Sequence, residues 1–208
     1  MNTSSGTLPY PAHTVSKEEI NALPLLSYEG EVILVQNKRE LGSALTRLQA
    51  DDILGFDTEA RPTFKKGQTN PTALVQLAGK DVVVLVRISM MPFDETLANL
   101  LANPEIIKTG VAIHEDMRAL RKIHEFVPSG LVDLAEMAKR QNIQAQGLRT
   151  LAASLMGFRI SKAAQCSNWE KRELTPQQIR YAATDAWTGR LLYLRLKENE
   201  QAQNIACT

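Results

Sequence analysis

The sequence predicts an α/β domain in which a mixed β-sheet, containing one antiparallel hairpin, is flanked by helices. Three observations predict this. The 208 residues, 44% hydrophobic and 23% charged, suit one large α/β domain with ample core better than two small ones. The β-rich and helix-periodic segments run β-α-β-β-β-α-β-α and then helices, unlike the strict βαβ alternation of a doubly wound sheet. Finally, Thr72–Leu77 and Asp81–Ile88 are adjacent β-rich runs joined by Ala78-Gly79-Lys80, a hairpin.

Residues 1–16, rich in Ser and Thr with Pro9 and Pro11, read as a poorly ordered tail. Lys17–Leu26 is short and amphipathic, and Glu31–Val35 is a strand ended by Gln36 and Asn37. Asn37 then caps a helix, with Glu40 at the capping-box spacing and Leu41, Ala44, Leu45 and Leu48 on one face. The apolar run Ile53–Phe56 leads into Asp57-Thr58-Glu59 and reads as a central strand covered on both sides. Arg61–Pro71 is a polar loop marked by Pro62, Gly67 and Asn70-Pro71, with charge from Lys65 and Lys66. Residues 94–102 are helical through Leu97, Leu100 and Leu101 and stop before Pro104. A short strand lies within Ile106–Ile113, and a helix resumes at His114. The spacing predicts further helices over 131–140, 147–156 (closed by Gly157) and 176–200, with no repeat and no internal linker.

Chemistry concentrates at the end of the central strand. Alternation puts Asp57 and Glu59 on one face and points Thr58 away. Two like charges at the end of a buried strand repel and lose hydration, so they gain protons or a cation. A hard divalent ion bound through oxygen is the obvious compensation, and other carboxylates are the residues to look for. Asp116, at the start of a helix, is by itself accounted for by the helix dipole. The last helix says more. Thr175, Pro176 and Gln178 form its start signal, and Tyr181 and Asp185 lie four apart on one face. Asp185 reads alone as an exposed helix acid, but Ala182, Ala183, Ala186 and Trp187 make a markedly apolar setting for one. With Gly189, those alanines form a small flank that lets the helix approach the sheet closely.

Jointly, Asp57-x-Glu59, Asp116 and Tyr181-x3-Asp185 resemble the DEDD superfamily of 3′–5′ exonucleases, in its tyrosine subgroup (DEDDy). The resemblance is carried by GFDTE (55–59), ALVQLA (73–78), KTGVAIHEDMRAL (108–120), CSNW (166–169) and YAATDAWTG (181–189), in the family's order. It looks nearest to ribonuclease D and to the exonuclease domain of the Werner syndrome helicase. It implies a ribonuclease H-like fold and a catalytic domain over 28–200, with an N-terminal tail and amphipathic segment at 1–27 and a C-terminal tail at 201–208. It also implies hydrolysis at DNA or RNA 3′ ends, single-stranded or recessed, by two Mg²⁺ or Mn²⁺ ions that release nucleoside monophosphates. Asp57 would bridge both ions, Glu59 and Asp185 would hold the nucleophile-side ion, and Asp116 would act on the second. Tyr181, whose ordinary pKa near 10 makes it a poor base, would orient the attacking water. None of His13, His114 and His124 falls within 160–190, which excludes the related histidine subgroup; His114 reads as structural.

Substrate contacts are expected from the Thr58 backbone, Arg61, Asn168 and Trp169. Arg61, Lys65 and Lys66 read equally well as a solvated charged loop, and a Trp such as Trp169 is more often core than a stacking platform. Ala60 and Arg61 stand where the human relative has an aromatic residue, a departure that weakens the case for terminal-base stacking. Cys166 and Cys207 form no disulfide framework or metal-ligand spacing, and Cys166 reads as inert. A net charge of +1 announces no global field for nucleic acid. The expected setting is cytoplasmic, with no membrane span and no secretory signal. Two other classes compete. One is a non-catalytic nucleic-acid adaptor that keeps the fold. The other is a carboxylate-pair glycosidase, for which 5% aromatic residues is a low content.

Overall fold

The computed structural model describes residues 15–65 and 67–206. The predicted N-terminal tail lies almost wholly outside the described residues, as do Lys66 and Cys207. Elements follow in chain order: α1 (Lys17–Ala22), β1 (Glu31–Val35), α2 (Lys38–Thr46), β2 (Ile53–Ala60), β3 (Thr72–Ala78), β4 (Val82–Val86) and α3 (Glu95–Ala102). Then come β5 (Ile107–Gly110), α4 (Ile113–Arg121), β6 (Leu131–Asp133), α5 (Leu134–Arg140), α6 (Leu148–Met156) and α7 (Pro176–Ala206).

The strands form one six-stranded sheet, ordered β1-β4-β3-β2-β5-β6. Only β3 runs against its neighbours, in the predicted hairpin with β4 and antiparallel to β2. The pairs β1/β4, β2/β5 and β5/β6 are parallel. β3 and β4 are buried throughout, as expected of strands covered on both sides.

Each face of the sheet has its own core. On one, Phe56, Val75, Leu77 and Val84 pack under α2, α3 and α4 through Leu41, Leu45, Leu97, Ile113, Met117 and Leu120. On the other, Leu74, Ala78, Val83 and Leu85 meet Ala182, Ala183 and Ala186 of α7. The small-residue flank does what its composition predicts. A Cβ at Gly55 would run into the Ala186 carbonyl, so α7 and β2 approach to backbone distance only because Gly55 has none. Farther along, α7 covers α5 and α6 through Leu192, Tyr193 and Leu196. Among the described residues, no helix is long and apolar enough to cross a membrane.

The structure corrects three boundaries. Leu131–Asp133, predicted as the first turn of a helix, is the edge strand β6; three residues are too few to print a period-2 pattern. Asp133 then caps α5, its carboxylate accepting from the Ala135 and Glu136 amides. The predicted tail at 201–208 is helical to Ala206, since nothing in Gln201–Ile205 breaks a helix. α4 starts at Ile113, one residue before the predicted start at His114, because Ala112 turns the chain with a left-handed φ of 57°.

Candidate active site

β2 carries the first two acids to the site. Its pairing sets Asp57 opposite Gln76 and Glu59 opposite Leu74, with a register shift just beyond, between Glu59 and Ala60. α7 crosses the same strand at Gly55 and brings Asp185, itself 6% exposed, toward Asp57. α4 follows β5, the parallel neighbour of β2, and so presents Asp116 from its first turn. One Asp116 oxygen accepts a 2.7 Å hydrogen bond from Thr58 Oγ1, and the Thr58 amide donates to Asp57 at 2.9 Å. Thr58 thus points off the Asp57/Glu59 face, as alternation requires, but its hydroxyl holds the third acid. Sequence reasoning credits Thr58 with a backbone role only.

The four carboxyls bear on one another. Burial pushes Asp57 well above the usual carboxylate range, helped by Asp185 and Asp116. Burial, with Asp57, Asp185 and Asp116 beyond it, lifts Glu59 to about 9. Desolvation raises Asp116 to about 6, opposed by the Thr58 hydrogen bond, and Asp185 to about 7, opposed by the Tyr181 hydroxyl and Arg149. Among the described residues none of the four forms an ion pair with Lys or Arg; all the recorded pairs lie elsewhere. Nor is any group of three or more His, Cys, Asp or Glu side chains among them already arranged to hold a metal ion. The donor chemistry nonetheless fits a hard divalent cation: four oxygen-bearing acids, half-buried or buried, none of them ion-paired to Lys or Arg among the described residues.

Tyr181 faces the same cleft, half-buried. Desolvation and the neighbouring acids Asp185, Glu59 and Asp57 push its phenol far above its ordinary pKa, so it stays protonated and donates toward Asp185. Its ring leans on Trp169, with centroids 6.1 Å apart and planes at 41°.

Trp169 is a correction. At 0% exposure it belongs to the core beneath α7 and offers no face to a base. Its contribution is to seat Tyr181. Asn168 is structural as well: its side-chain oxygen accepts from the Glu170 amide at 3.0 Å, and its carbonyl accepts from Gln178 Nε2 at 3.2 Å. Arg61 forms an exposed ion pair with Glu170 at 3.5 Å and does not line the cleft. Lys65 is exposed, and Phe64 beside it is 91% exposed. His114 is exposed and outside the cleft, and Cys166 is a free thiol at the surface.

The cleft encloses about 550 Å³. Asp57, Thr58, Glu59, Tyr181 and Asp185 line it, facing Gly147–Thr150 of the α6 start and Lys162 and Gln165 of the following loop. Sequence reasoning missed Arg149 and Lys162. One signal was there: Arg149 stands in the first turn of a helix, where the dipole disfavours a cation. Lys162, in an irregular segment, carries no such signal.

Fold and cleft together define a class: a ribonuclease H-like α/β domain that gathers acids from a central strand and two helices, as nucleases do. The chain belongs to the 3′–5′ exonuclease family, whose model, described as "3'-5' exonuclease", matches residues 32–200. It is 31% identical over 184 residues to the mouse bifunctional 3′–5′ exonuclease/ATP-dependent helicase WRN, covering 84% of this chain and 13% of that protein. With ribonuclease D of Gluconacetobacter diazotrophicus it shares 33% over 170 residues, 80% of this chain and 42% of the relative. It therefore spans less than half the length of these curated relatives. Among solved structures, the EXO domain of Aedes aegypti Nibbler superposes with a TM-score of 0.74 at 25% identity, covering 85% of this chain and 92% of that one.

Proposed function

We propose that this protein is a two-metal-ion 3′–5′ exonuclease of the DEDDy type, which hydrolyses the terminal phosphodiester of a DNA or RNA strand and releases a nucleoside monophosphate. The observation that carries the reading is the convergence of four carboxyls, each pushed up by burial: Asp57, Glu59 and Asp185 line one cleft with Tyr181, and Asp116 is tied to it through the Thr58 hydroxyl. A phosphate entering such a cleft unaided is repelled. Asp57, Glu59, Asp116 and Asp185 would hold the two Mg²⁺ or Mn²⁺ ions that reverse the sign of the site. When bound, such a pair lowers the pKa of a water and neutralises charge on the attacking and leaving oxygens.

The chain's own groups set the geometry. Thr58 Oγ1 fixes one oxygen of Asp116, leaving the other for coordination. Asp57, one residue away, is turned by the Thr58 amide. Tyr181 keeps its proton and so acts as a donor that aligns the attacking oxygen rather than as the base that deprotonates it. Trp169 behind the ring restricts the directions in which that hydroxyl points.

The competing adaptor reading keeps the fold and the strand but no hydrolysis. A 5′-labelled strand separates the two. Incubated with Mn²⁺ or Mg²⁺, it should shorten one nucleotide at a time from its 3′ end, and EDTA should stop the reaction. Matched single-stranded, recessed and RNA substrates then rank the preferred strand. A strand left intact by fully folded, metal-supplied protein would favour the adaptor.

A further inference from the structure

We propose that Arg149, assisted by Lys162, is a substrate-positioning residue that takes a non-bridging oxygen pair of a backbone phosphate on the cleft wall opposite the carboxylates. The inference rests on the exonuclease reading and names what that reading leaves unassigned: the groups that hold the polyanion in a cleft whose other wall is acidic.

Arg149 is placed at some cost. It sits at the second position of α6, in the positive end of the helix dipole, and the N-cap Gly147 supplies no side chain to moderate it. Its Nε is buried and finds no hydrogen-bond partner, and among the described residues it forms no ion pair. A half-buried guanidinium that lines a cleft and leaves its Nε unpaired is unusual, since buried polar atoms are paired in the great majority of cases. The acid it faces is Asp185, which the proposed chemistry would assign to a metal ion.

A phosphodiester resolves both deficits. Its two non-bridging oxygens match the planar fork of a guanidinium and would give it acceptors once the side chain turns to meet the strand. Lys162, exposed and lining the same wall, adds a flexible point charge for the same strand. The enclosed volume of about 550 Å³ leaves room for a nucleotide between the walls. The strand would then lie with cations on one side and the acid-held ions on the other. That arrangement fixes which phosphate is cut.

The test measures binding, so it stands apart from turnover. Fluorescein-labelled single strands carrying one neutral methylphosphonate at successive linkages from the 3′ end are titrated into the Asp57→Asn protein, with and without Arg149→Met. We expect Arg149→Met to weaken binding of the unmodified strand about 10- to 100-fold, Arg149→Lys to weaken it less, and Lys162→Met to cost a smaller factor. At one linkage, the methylphosphonate should weaken binding to the Arg149 protein and leave the Arg149→Met protein indifferent, because the pair it would break is already gone. Equal losses at every linkage in both proteins would overturn the assignment, as would full affinity in Arg149→Met. Arg149→Lys, which keeps the charge at α6, serves the same comparison should the methionine variant fail to fold. If strands are bound in this way but never shortened by the wild type, the exonuclease reading fails while the phosphate assignment stands.

Discussion

Replacing Glu59 by Gln should stabilise the metal-free protein, and by an amount that depends on pH in a defined direction. Burial, reinforced by Asp57, Asp185 and Asp116, holds the Glu59 carboxyl at about 9 against an ordinary 4.5. In the folded state it therefore keeps a proton that the unfolded chain releases. Below about pH 4.5 both states are protonated and Glu59 costs nothing. As pH climbs toward 9 the folded state binds more protons than the unfolded one, and stability falls throughout that window. A gap of this size is worth up to about 6 kcal/mol when fully expressed. Water reaching a cleft that is only partly buried reduces this to about 2 kcal/mol at pH 8. For a chain of this length, about 2 kcal/mol moves Tm by about 4–8 °C. Thermal melts of wild type and Glu59→Gln in EDTA, from pH 5 to pH 9, should nearly coincide at pH 5 and separate upward, with the variant melting higher. Added Mn²⁺ should raise the wild type and close or invert the gap. A gap independent of pH, or a variant that melts lower at pH 8, would refute the picture of a strained acidic cluster.

Tyr181→Phe should slow nucleotide release about 10²- to 10³-fold while Mn²⁺ affinity, read by calorimetry, stays unchanged; a loss of metal would reassign Tyr181 as a ligand. Trp169→Ala should cost about 3–5 kcal/mol in urea unfolding, since a fully buried indole leaves a cavity beneath α7, and should also slow release by loosening Tyr181. A drop in strand affinity with unchanged stability would instead restore the stacking role. Gly55→Ala should cost about 1–3 kcal/mol or more, because its methyl meets the Ala186 carbonyl, and should cut release at least tenfold by lifting Asp185 away from Asp57. Wild-type activity there would mean that close apposition of α7 and β2 is dispensable.

Much of this architecture is legible in the residues because it follows from strong local patterns. The hairpin needs only two β-rich runs and Gly79, and α2 only its cap and the apolar positions Leu41, Ala44 and Leu45. The acids stand out for a different reason: Asp57 and Glu59 end a buried strand, and Asp185 interrupts a run of alanines, so each sits where a charge is expensive. What the sequence hides depends on distant contacts. β6 is three residues long and is defined by pairing with β5, not by any pattern of its own. The Thr58 hydroxyl finds Asp116 across 58 positions of chain, which no local reading of a strand supplies. Trp169 and Asn168 resemble a substrate-contacting segment in sequence, yet their surroundings are those of a core and a turn. Arg149 left a faint trace as a cation in the wrong turn of a helix, and the cleft that explains it exists only once α6 has folded against α7.

The most direct test of the account is low-temperature EPR of the metal-free protein titrated with Mn²⁺. The four carboxyls are predicted to gather two ions, which would give the spectrum of a spin-coupled pair. Asp57→Asn, with one carboxylate fewer to hold them, should retain at most a single uncoupled ion. A wild-type protein that binds no Mn²⁺, or an Asp57→Asn spectrum still showing the coupled pair, would contradict it.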